Sequence, residues 1–378
     1  MKNVVIAGYA RSPFTPAKKG DLAKVRPDDL AAQVVRALVQ KTGVDPAEVE
    51  DLILGCAFPE AEQGFNAARL IGFLAELPLS VTGTTVNRFC GSSMQAIHMA
   101  AGAIQMNAGE VFICAGVESM SRIPMGGFNP MPNPALLARY PQAFASMGET
   151  AENLAKSHKI PRRRQEEFAV GSQQKAAAAQ AACKLAAEIV PITWKGGTVE
   201  RDGCLRPDTT LEGLAELKLA FDEKGTVTAG TSSPLTDGAA ATLVCSQEYA
   251  ERRGLEPLAR IKSISTSGCG PEVMGIGPVL ATRKALQRAG LELGAIDVVE
   301  LNEAFAAQAL ACIDELGLDP GKVNLDGGAI ALGHPLGATG ARITGKAASL
   351  LRREGKRYAL ATQCIGGGQG IATILEVA

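Results

Sequence analysis

Four polar residues, each next to small or apolar neighbours, carry the chemistry that this sequence can perform. The first, Cys90, follows a short predicted strand, Thr84 to Val86, and precedes a run of apolar residues at helical spacing that stops before Gly109. Free backbone N–H groups at a helix start stabilise a thiolate and can lower a cysteine pKa from about 8.5 to roughly 3.5–7.5. The sequence therefore predicts a nucleophile at Cys90, and a small buried hydrophobe is the alternative interpretation.

His334 stands between Gly333 and Pro335, inside a glycine-rich stretch. These neighbours predict an irregular turn beside a helix start, where a ring nitrogen can face a thiol. An imidazole of pKa near 6.5 is suited to accept a thiol proton at neutral pH. His334 is therefore the predicted base, with a structural histidine as the alternative. His98 and His158 have no such context and are predicted to be structural or on the surface.

The other two residues follow predicted strands. Cys364 precedes the three glycines 366–368, which would let a ligand approach closely. Asn302 ends the predicted strand 296–302, and its alternative role is to begin the helix that follows. Open α/β sheets bind ligands at the carboxyl ends of their strands. We therefore expect both side chains at a ligand site.

Strands and helices alternate along most of the chain, which predicts a mainly parallel sheet with helical crossovers. Asp28 is the predicted cap of a helix that stops at Gly43. The same succession of elements returns after a shift of about 247 residues, which indicates an internal repeat. Two halves packed face to face would bring Cys90 of one half to the other three residues.

The repeat divides the chain into three predicted parts. Residues 1–118 form an N-terminal core half, and residues 246–378 form a C-terminal core half. Between them, residues 119–245 form an inserted lid or binding domain whose last part returns to the N-terminal core. Within the insertion, the segments RDGCLRPDTT and TAGTSSPLTDGAA are predicted to be loops.

Composition excludes several classes of protein. The 38 Lys and Arg residues nearly balance the 39 Asp and Glu residues, so no basic surface indicates nucleic acid or membrane binding. No apolar run reaches the ~18 residues of a membrane span, and a predicted strand at the start leaves no room for a targeting peptide. Nine scattered cysteines without a C-x-x-C pair argue against zinc and indicate a reducing, cytoplasmic location.

Four motifs together resemble the thiolase family over the whole chain: the segment around Cys90, NEAFA at 302–306, GHP at 333–335 and CIG at 364–366. The resemblance implies an α/β fold in which duplicated βαβαβαββ-type halves form five layers, α-β-α-β-α, with an inserted CoA-binding loop domain. It implies thiolytic cleavage of a 3-ketoacyl-CoA by free CoA, or the reverse condensation. CoA is then a substrate, and no metal or redox cofactor is needed.

The resemblance also implies residue roles. Cys90 receives the acyl group, His334 accepts its proton, and Cys364 protonates the leaving enolate and later deprotonates CoA. Asn302, through a water, and His334 stabilise one oxyanion, and the backbone N–H groups of Cys90 and Gly366 stabilise the other. Six further residues match CoA contacts: Ser233 at pantetheine, Arg206 at the nucleotide, and Met147, Phe221, Ala229 and Phe305 along the pantetheine channel.

Departures from the family pattern favour one branch. Short-chain acetoacetyl-CoA thiolases usually have histidine where this chain has Ser146, whereas EQGFNAARL and GHPLG are similar to the degradative 3-ketoacyl-CoA thiolases of fatty acid β-oxidation. A short loop after Ser121 favours a homodimer, with a dimer of dimers or a multifunctional β-oxidation partner also open. Three alternatives remain: a biosynthetic thiolase condensing two acetyl-CoA, a ketoacyl synthase, which would use two histidines, and a non-catalytic acyl-CoA carrier.

Overall fold

The computed structural model describes residues 2–378, so Met1, at the start of the predicted first part, lies outside it. Its strands follow the apolar runs of the sequence. They are β1 (Val4–Arg11), β2 (Thr15–Pro16), β3 (Asp51–Gly55), β4 (Thr82–Val86), β5 (Val111–Ser119), β6 (Ile192–Trp194), β7 (Gly197–Val199), β8 (Thr236–Ser246), β9 (Ala259–Gly268), β10 (Val298–Leu301), β11 (Tyr358–Ile365) and β12 (Gln369–Val377).

The helices lie between these strands, and several of them end at a glycine in the left-handed conformation, as α1 does at Gly43. They are α1 (Pro27–Thr42), α2 (Ala67–Leu74), α3 (Ser92–Gln105), α4 (Pro134–Arg139), α5 (Met147–Ser157), α6 (Arg162–Ala181), α7 (Leu211–Ala215), α8 (Gln247–Arg253), α9 (Gly277–Ala289), α10 (Ala306–Leu316), α11 (Ala329–Leu332) and α12 (Leu336–Arg353). Within residues 2–378, no helix combines the length and the apolar character that crossing a membrane requires.

Ten strands form one mixed sheet in the order β10-β11-β12-β9-β1-β8-β5-β3-β4, with β2 attached to β8. Two separate sheets were expected from the two halves. Instead, β1 and β9 join them through two residue pairs, Val5 with Arg260 and Ile6 with Ala259. Two halves packed face to face do not have separate sheets at this edge, because strand pairing there depends on residues about 250 positions apart. The prediction of a mainly parallel sheet is wrong, because within residues 2–378 only β3–β4, β3–β5 and β10–β11 pair in parallel in this sheet.

The strand registers repeat between the halves. In the first half, β3 pairs with β5 so that Asp51 is opposite Phe112, and in the second half β10 pairs with β11 so that Val298 is opposite Ala359. Both partners are displaced by the same 247 residues, 51 to 298 and 112 to 359. The internal repeat predicted from sequence is therefore present in the hydrogen-bonding pattern.

Five layers result from the packing of the helices. Helices α1 and α2 cover the outer face of the first half, and α9 covers the outer face of the second. Helices α3 and α12 lie between the halves, where α12 contacts α3, β5 and β8 on one side and β10 and β11 on the other. The α-β-α-β-α architecture predicted from the family resemblance is confirmed.

Helix α12 is buried over most of its length, so its two buried cations need internal partners. Arg342 pairs with Glu300, and Lys346 pairs with Glu188 and Asp326. These pairs connect the central helix to β10 and to the insertion.

Local departures from the sequence predictions have simple causes. Helix α1 begins at Pro27, which suits a first helical position, and Asp28 binds the Arg26 side chain rather than capping the helix. Helix α3 ends at Gln105, four residues before Gly109. The TDGAA segment, predicted as a loop, starts β8, because strands on both sides bury its small residues.

Candidate active site

One cavity of about 240 Å³ brings together residues from both halves and from the insertion. Cys90, His334 and Cys364 line it, so three of the four predicted chemical groups share one space. The fourth, Asn302, is buried beside His334 at the carboxyl end of β10. Most of the lining is apolar, which excludes water from the polar groups.

Cys90 lies in a tight turn between β4 and α3. Phe89 takes a positive φ of 43° and Gly91 caps the helix, so the thiol faces the cavity just before the free N–H groups of α3. The backbone N–H groups of Gly366 and Cys90 favour the thiolate and act to lower the pKa of Cys90. Burial has the larger effect and raises the pKa of Cys90 to about 11. The prediction of a lowered pKa is therefore wrong.

His334 is held by its neighbours in one tautomer. The Thr339 hydroxyl donates to the Pro335 carbonyl at 3.1 Å, so its oxygen accepts the Nδ1–H of His334 at 2.6 Å. The Nε2 atom therefore carries the lone pair. Burial lowers the pKa of His334 to about 3, helped by the positive charge of Arg342. At neutral pH the imidazole is an uncharged proton acceptor.

Asn302 is not the N-cap of the following helix, because α10 begins only at Ala306. Its Nδ2 is 3.4 Å from His334 Nε2. Its Oδ1 is buried and makes no hydrogen bond to the protein. Oδ1 is an acceptor and is therefore available to a water, which could in turn donate to a substrate oxygen.

Cys364 is the penultimate residue of β11 and is buried with Phe305, Met147 and Ala304. Burial raises the pKa of this thiol well above its usual value, and the nearby Cys90 sulfur acts in the same direction. A protonated Cys364 can donate a proton into the cavity.

The predicted CoA contacts divide into two groups. Met147, Phe221, Phe305 and Ser233 line the cavity; Phe221 and Phe305 pack edge to face with ring centroids 5.8 Å apart, and the Ser233 hydroxyl donates to the Ala304 carbonyl at 3.1 Å. Arg206 and Ala229 are exposed and do not line this cavity. The structure does not bring these two residues to the sulfur, and a long ligand would have to extend out to reach them.

Four contributors were not predicted from the sequence. Thr339 orients His334, and Met125 and Leu235 add exposed apolar side chains to the cavity rim. Glu118, in the apolar run of β5, binds both halves next to the site. An acidic residue inside an otherwise apolar strand is the one signal in the sequence that could have identified Glu118.

The fold is a duplicated α/β fold, and its apolar cavity holds two cysteines and a histidine. These features define a class of acyl-transferring enzymes, and comparison with known families leads to the same class. Residues 4–248 match the family model "Thiolase, N-terminal domain", and residues 255–377 match "Thiolase, C-terminal domain". The chain belongs to the thiolase family and is an acyltransferase.

Several similar proteins cover the whole chain. A 3-ketoacyl-CoA thiolase of Bacillus subtilis (strain 168) is 47% identical over 390 residues, and one of Yersinia pestis (strain Pestoides F) is 49% identical over 386, each alignment covering 100% of both chains. Human mitochondrial 3-ketoacyl-CoA thiolase superposes with a TM-score of 0.93 at 39% identity, covering 100% of this chain and 99% of the other. Acetyl-CoA acetyltransferase of Bacillus anthracis gives 0.92 at 40% identity, with the same coverage.

Proposed function

We propose that the chain catalyses the CoA-dependent thiolytic cleavage of 3-ketoacyl-CoA to acetyl-CoA and a shortened acyl-CoA, through an acyl-cysteine intermediate, in a reversible reaction. The observation that carries this proposal is the shared cavity of Cys90, His334 and Cys364, with the Gly366 N–H at the Cys90 sulfur. The curated relatives named 3-ketoacyl-CoA thiolase support it.

In the first step, His334 Nε2 accepts the Cys90 proton and the sulfur attacks the 3-keto carbon. The bond between Cα and Cβ then breaks, its electron pair leaves on the acetyl-CoA enolate, and Cys364 donates a proton to that carbon. The acyl group stays on Cys90 as a thioester. A covalent intermediate divides one difficult step into two easier ones.

In the second step, Cys364 removes the proton from the incoming CoA thiol, and the CoA sulfur attacks the acyl thioester. Acyl-CoA leaves, and the Cys90 sulfur regains its proton from His334. Negative charge develops on a carbonyl oxygen in both steps. We assign Asn302, through a water, and His334 to one such oxygen, and the N–H groups of Cys90 and Gly366 to the other.

CoA enters, in this proposal, through the inserted domain of residues 119–245, between the core halves 1–118 and 246–378. Met147, Phe221, Ser233 and Phe305 on the cavity wall support a pantetheine channel there. Arg206 and Ala229 lie outside the cavity and would meet the distal, nucleotide end. Because CoA is a substrate, the mechanism requires no metal or redox cofactor.

We assign the degradative direction rather than the condensation of two acetyl-CoA. Ser146 stands at the cavity in place of the histidine usual in short-chain relatives, and it caps α5 through a reciprocal bond with Glu149. Exposed Met125 and Leu235 on the rim offer apolar surface to a longer acyl chain. A cytoplasmic location agrees with the free cysteines of the described chain.

We further propose a homodimer formed through β4. This strand is at the edge of the sheet that residues 2–378 form, and within those residues its outer backbone groups have no neighbouring strand. Beside it, Phe65 is 95% exposed and Leu79 is 79% exposed, with Leu70 and Phe73 of α2 also exposed. An apolar patch next to an open edge favours pairing with a second copy. A dimer of dimers would contain two such dimers, and a multifunctional β-oxidation subunit would bind to this dimer as a partner.

The test is a thiolysis assay with 3-ketoacyl-CoA of graded chain length, run beside the reverse condensation. We expect cleavage, and an acyl group on Cys90 that mass spectrometry detects when free CoA is omitted. A Cys90→Ser variant should bind substrate and scarcely turn over. Near-normal turnover in that variant, or an acyl group on another residue, would refute the covalent role of Cys90. A wild-type chain that binds acyl-CoA without turnover or acylation would favour a carrier.

A further inference from the structure

Glu118 is the penultimate residue of β5 and is only 1% exposed. Its Oε2 accepts the backbone N–H of Ala57 at 2.8 Å and that of Gly337 at 2.9 Å. Its Oε1 accepts Gln63 Nε2 at 2.8 Å and the backbone N–H of Phe58 at 3.3 Å. A carboxylate has about four acceptor positions, so all of them are used. Its partners come from both halves of the chain.

The bond to Gly337 leads to His334. Helix α12 begins at Leu336, and Pro335 supplies no side-chain cap, so Glu118 binds a free N–H at the positive end of a helix in the other half. His334 precedes this helix by two residues, and its Nδ1 bonds to Thr339 in the first turn. A displacement of the start of α12 therefore moves the imidazole.

The bonds to Ala57 and Phe58 lead to Cys90. The Ala57 carbonyl accepts Asn87 Nδ2 at 3.0 Å, and Asn87 Oδ1 accepts the backbone N–H of Phe89 at 2.8 Å. Cys90 follows Phe89 and packs with Phe58 in the same apolar cluster as Ala57. A displacement of the turn at 57–58 therefore moves the thiol.

We propose that Glu118 is a positioning residue that fixes Cys90 and His334 relative to each other, because one carboxylate binds both the start of the helix that follows His334 and the 57–58 turn, which holds the Cys90 turn through Asn87. The proposal rests on the proposed function for its kinetic consequence. The negative charge of Glu118 also acts, after burial, to raise the pKa of Cys90. The other titratable groups at the cavity, His334 and Cys364, are neutral there.

Glu118→Gln is the decisive variant. It replaces one carboxylate oxygen, which accepts two bonds, by an NH₂ group that cannot accept them. We expect kcat to fall about 10- to 100-fold, with KM within about threefold, because a 1 Å misplacement of reacting groups costs on that order. Alkylation of Cys90 by iodoacetamide, measured by mass spectrometry across a pH series, reports the titration of the thiol. Its pH midpoint should be lower in Glu118→Gln than in wild type. A more acidic thiol in a slower enzyme is a combination that general destabilisation does not produce.

Glu188→Gln is the matched control, since Glu188 is a buried carboxylate paired with Arg11 and Lys346. It should lower stability but leave kcat per folded molecule and the alkylation midpoint unchanged. Equal losses of kcat in both variants, or a Glu118→Gln enzyme within threefold of wild type, would overturn the proposal. An unshifted alkylation midpoint would overturn the charge effect.

A second variant decides the matter if Glu118→Gln does not fold. Asn87→Ala breaks the same path at an exposed residue, and kcat should fall with little change in KM, whereas normal kcat overturns the proposal. The alkylation measurement requires no turnover. A wild-type chain without thiolysis would therefore refute the proposed function, while the midpoint shift would still report the effect of Glu118 on Cys90.

Discussion

At the scale of single residues, burial controls the proton chemistry of the cavity. A helix start and two N–H groups favour a thiolate at Cys90, yet loss of water raises its pKa to about 11 and lowers that of His334 to about 3. Both shifts disfavour the ionised thiolate–imidazolium pair. The site therefore favours a neutral thiol and a neutral base.

Thr339→Val tests how His334 is oriented. The variant keeps the side-chain shape but removes the acceptor of the Nδ1–H, so the ring can turn and present the wrong nitrogen. We expect a loss of about 1.5 kcal/mol of transition-state stabilisation, roughly tenfold in kcat, with KM little changed. Steady-state thiolysis kinetics measure it. Thr344→Val removes another buried hydroxyl of α12, and an equal loss there would contradict the orienting role.

At the scale of elements, glycines set how closely the two central helices approach. A Cβ on Gly340 of α12 would lie 2.2 Å from the backbone nitrogen of Met94 in α3, whereas a Cβ on Gly102 of α3 would meet nothing within 4 Å. The same change should therefore have opposite effects in the two helices.

Gly340→Ala should destabilise the fold by about 1–3 kcal/mol, because the helices must separate. Gly102→Ala should stabilise it by about 0.5–1 kcal/mol, because alanine is the better helix former and the site is exposed. Urea unfolding of both variants beside wild type measures the difference. A shift of the same sign in both would contradict close packing at Gly340.

His98 links α3 to β12 through a 2.8 Å bond between Nε2 and the Thr373 hydroxyl. Burial lowers the pKa of His98 to about 3, so between pH 6.5 and 3 only the unfolded chain binds this proton. His98 therefore weakens the fold as pH falls below 6.5 and has no such effect above it. In that window His98 should lower the free energy of unfolding by up to about 1.4 kcal/mol for each pH unit of acidification, and His98→Gln should remove this dependence. Urea unfolding at pH 7.5 and 5 measures it, and an unchanged pH dependence would contradict a neutral His98.

Most helices and strands could be predicted from the sequence, because apolar periodicity and glycines at helix ends are local signals. The sequence also predicted the convergence of Cys90, His334 and Cys364, because strand ends and a repeat determine where such residues meet. It missed the β1–β9 pairing, the raised pKa of Cys90 and the bonds of Glu118. Each of these depends on partners distant in sequence, and burial is a property of the assembled core rather than of a motif.

At the scale of the whole molecule, the open edge at β4 determines assembly in our proposal. Phe65→Glu places a charge in the apolar patch beside that edge. We expect a dimer that dissociates to monomers at micromolar concentration, because burying an unpaired charge costs several kcal/mol. Sedimentation velocity measures it. Met106→Glu, at a residue 79% exposed at the end of α3, is the control, and a dimer in both variants would place the interface elsewhere.

The position of β1 in the sheet has a consequence for biosynthesis. β1 holds residues 4–11, yet both of its neighbours, β8 and β9, lie beyond residue 235. A nascent chain therefore carries an apolar strand without a partner while most of the polypeptide is being translated. An unpaired apolar strand is prone to aggregation, and the N-terminal half cannot close its sheet until β8 has left the exit tunnel.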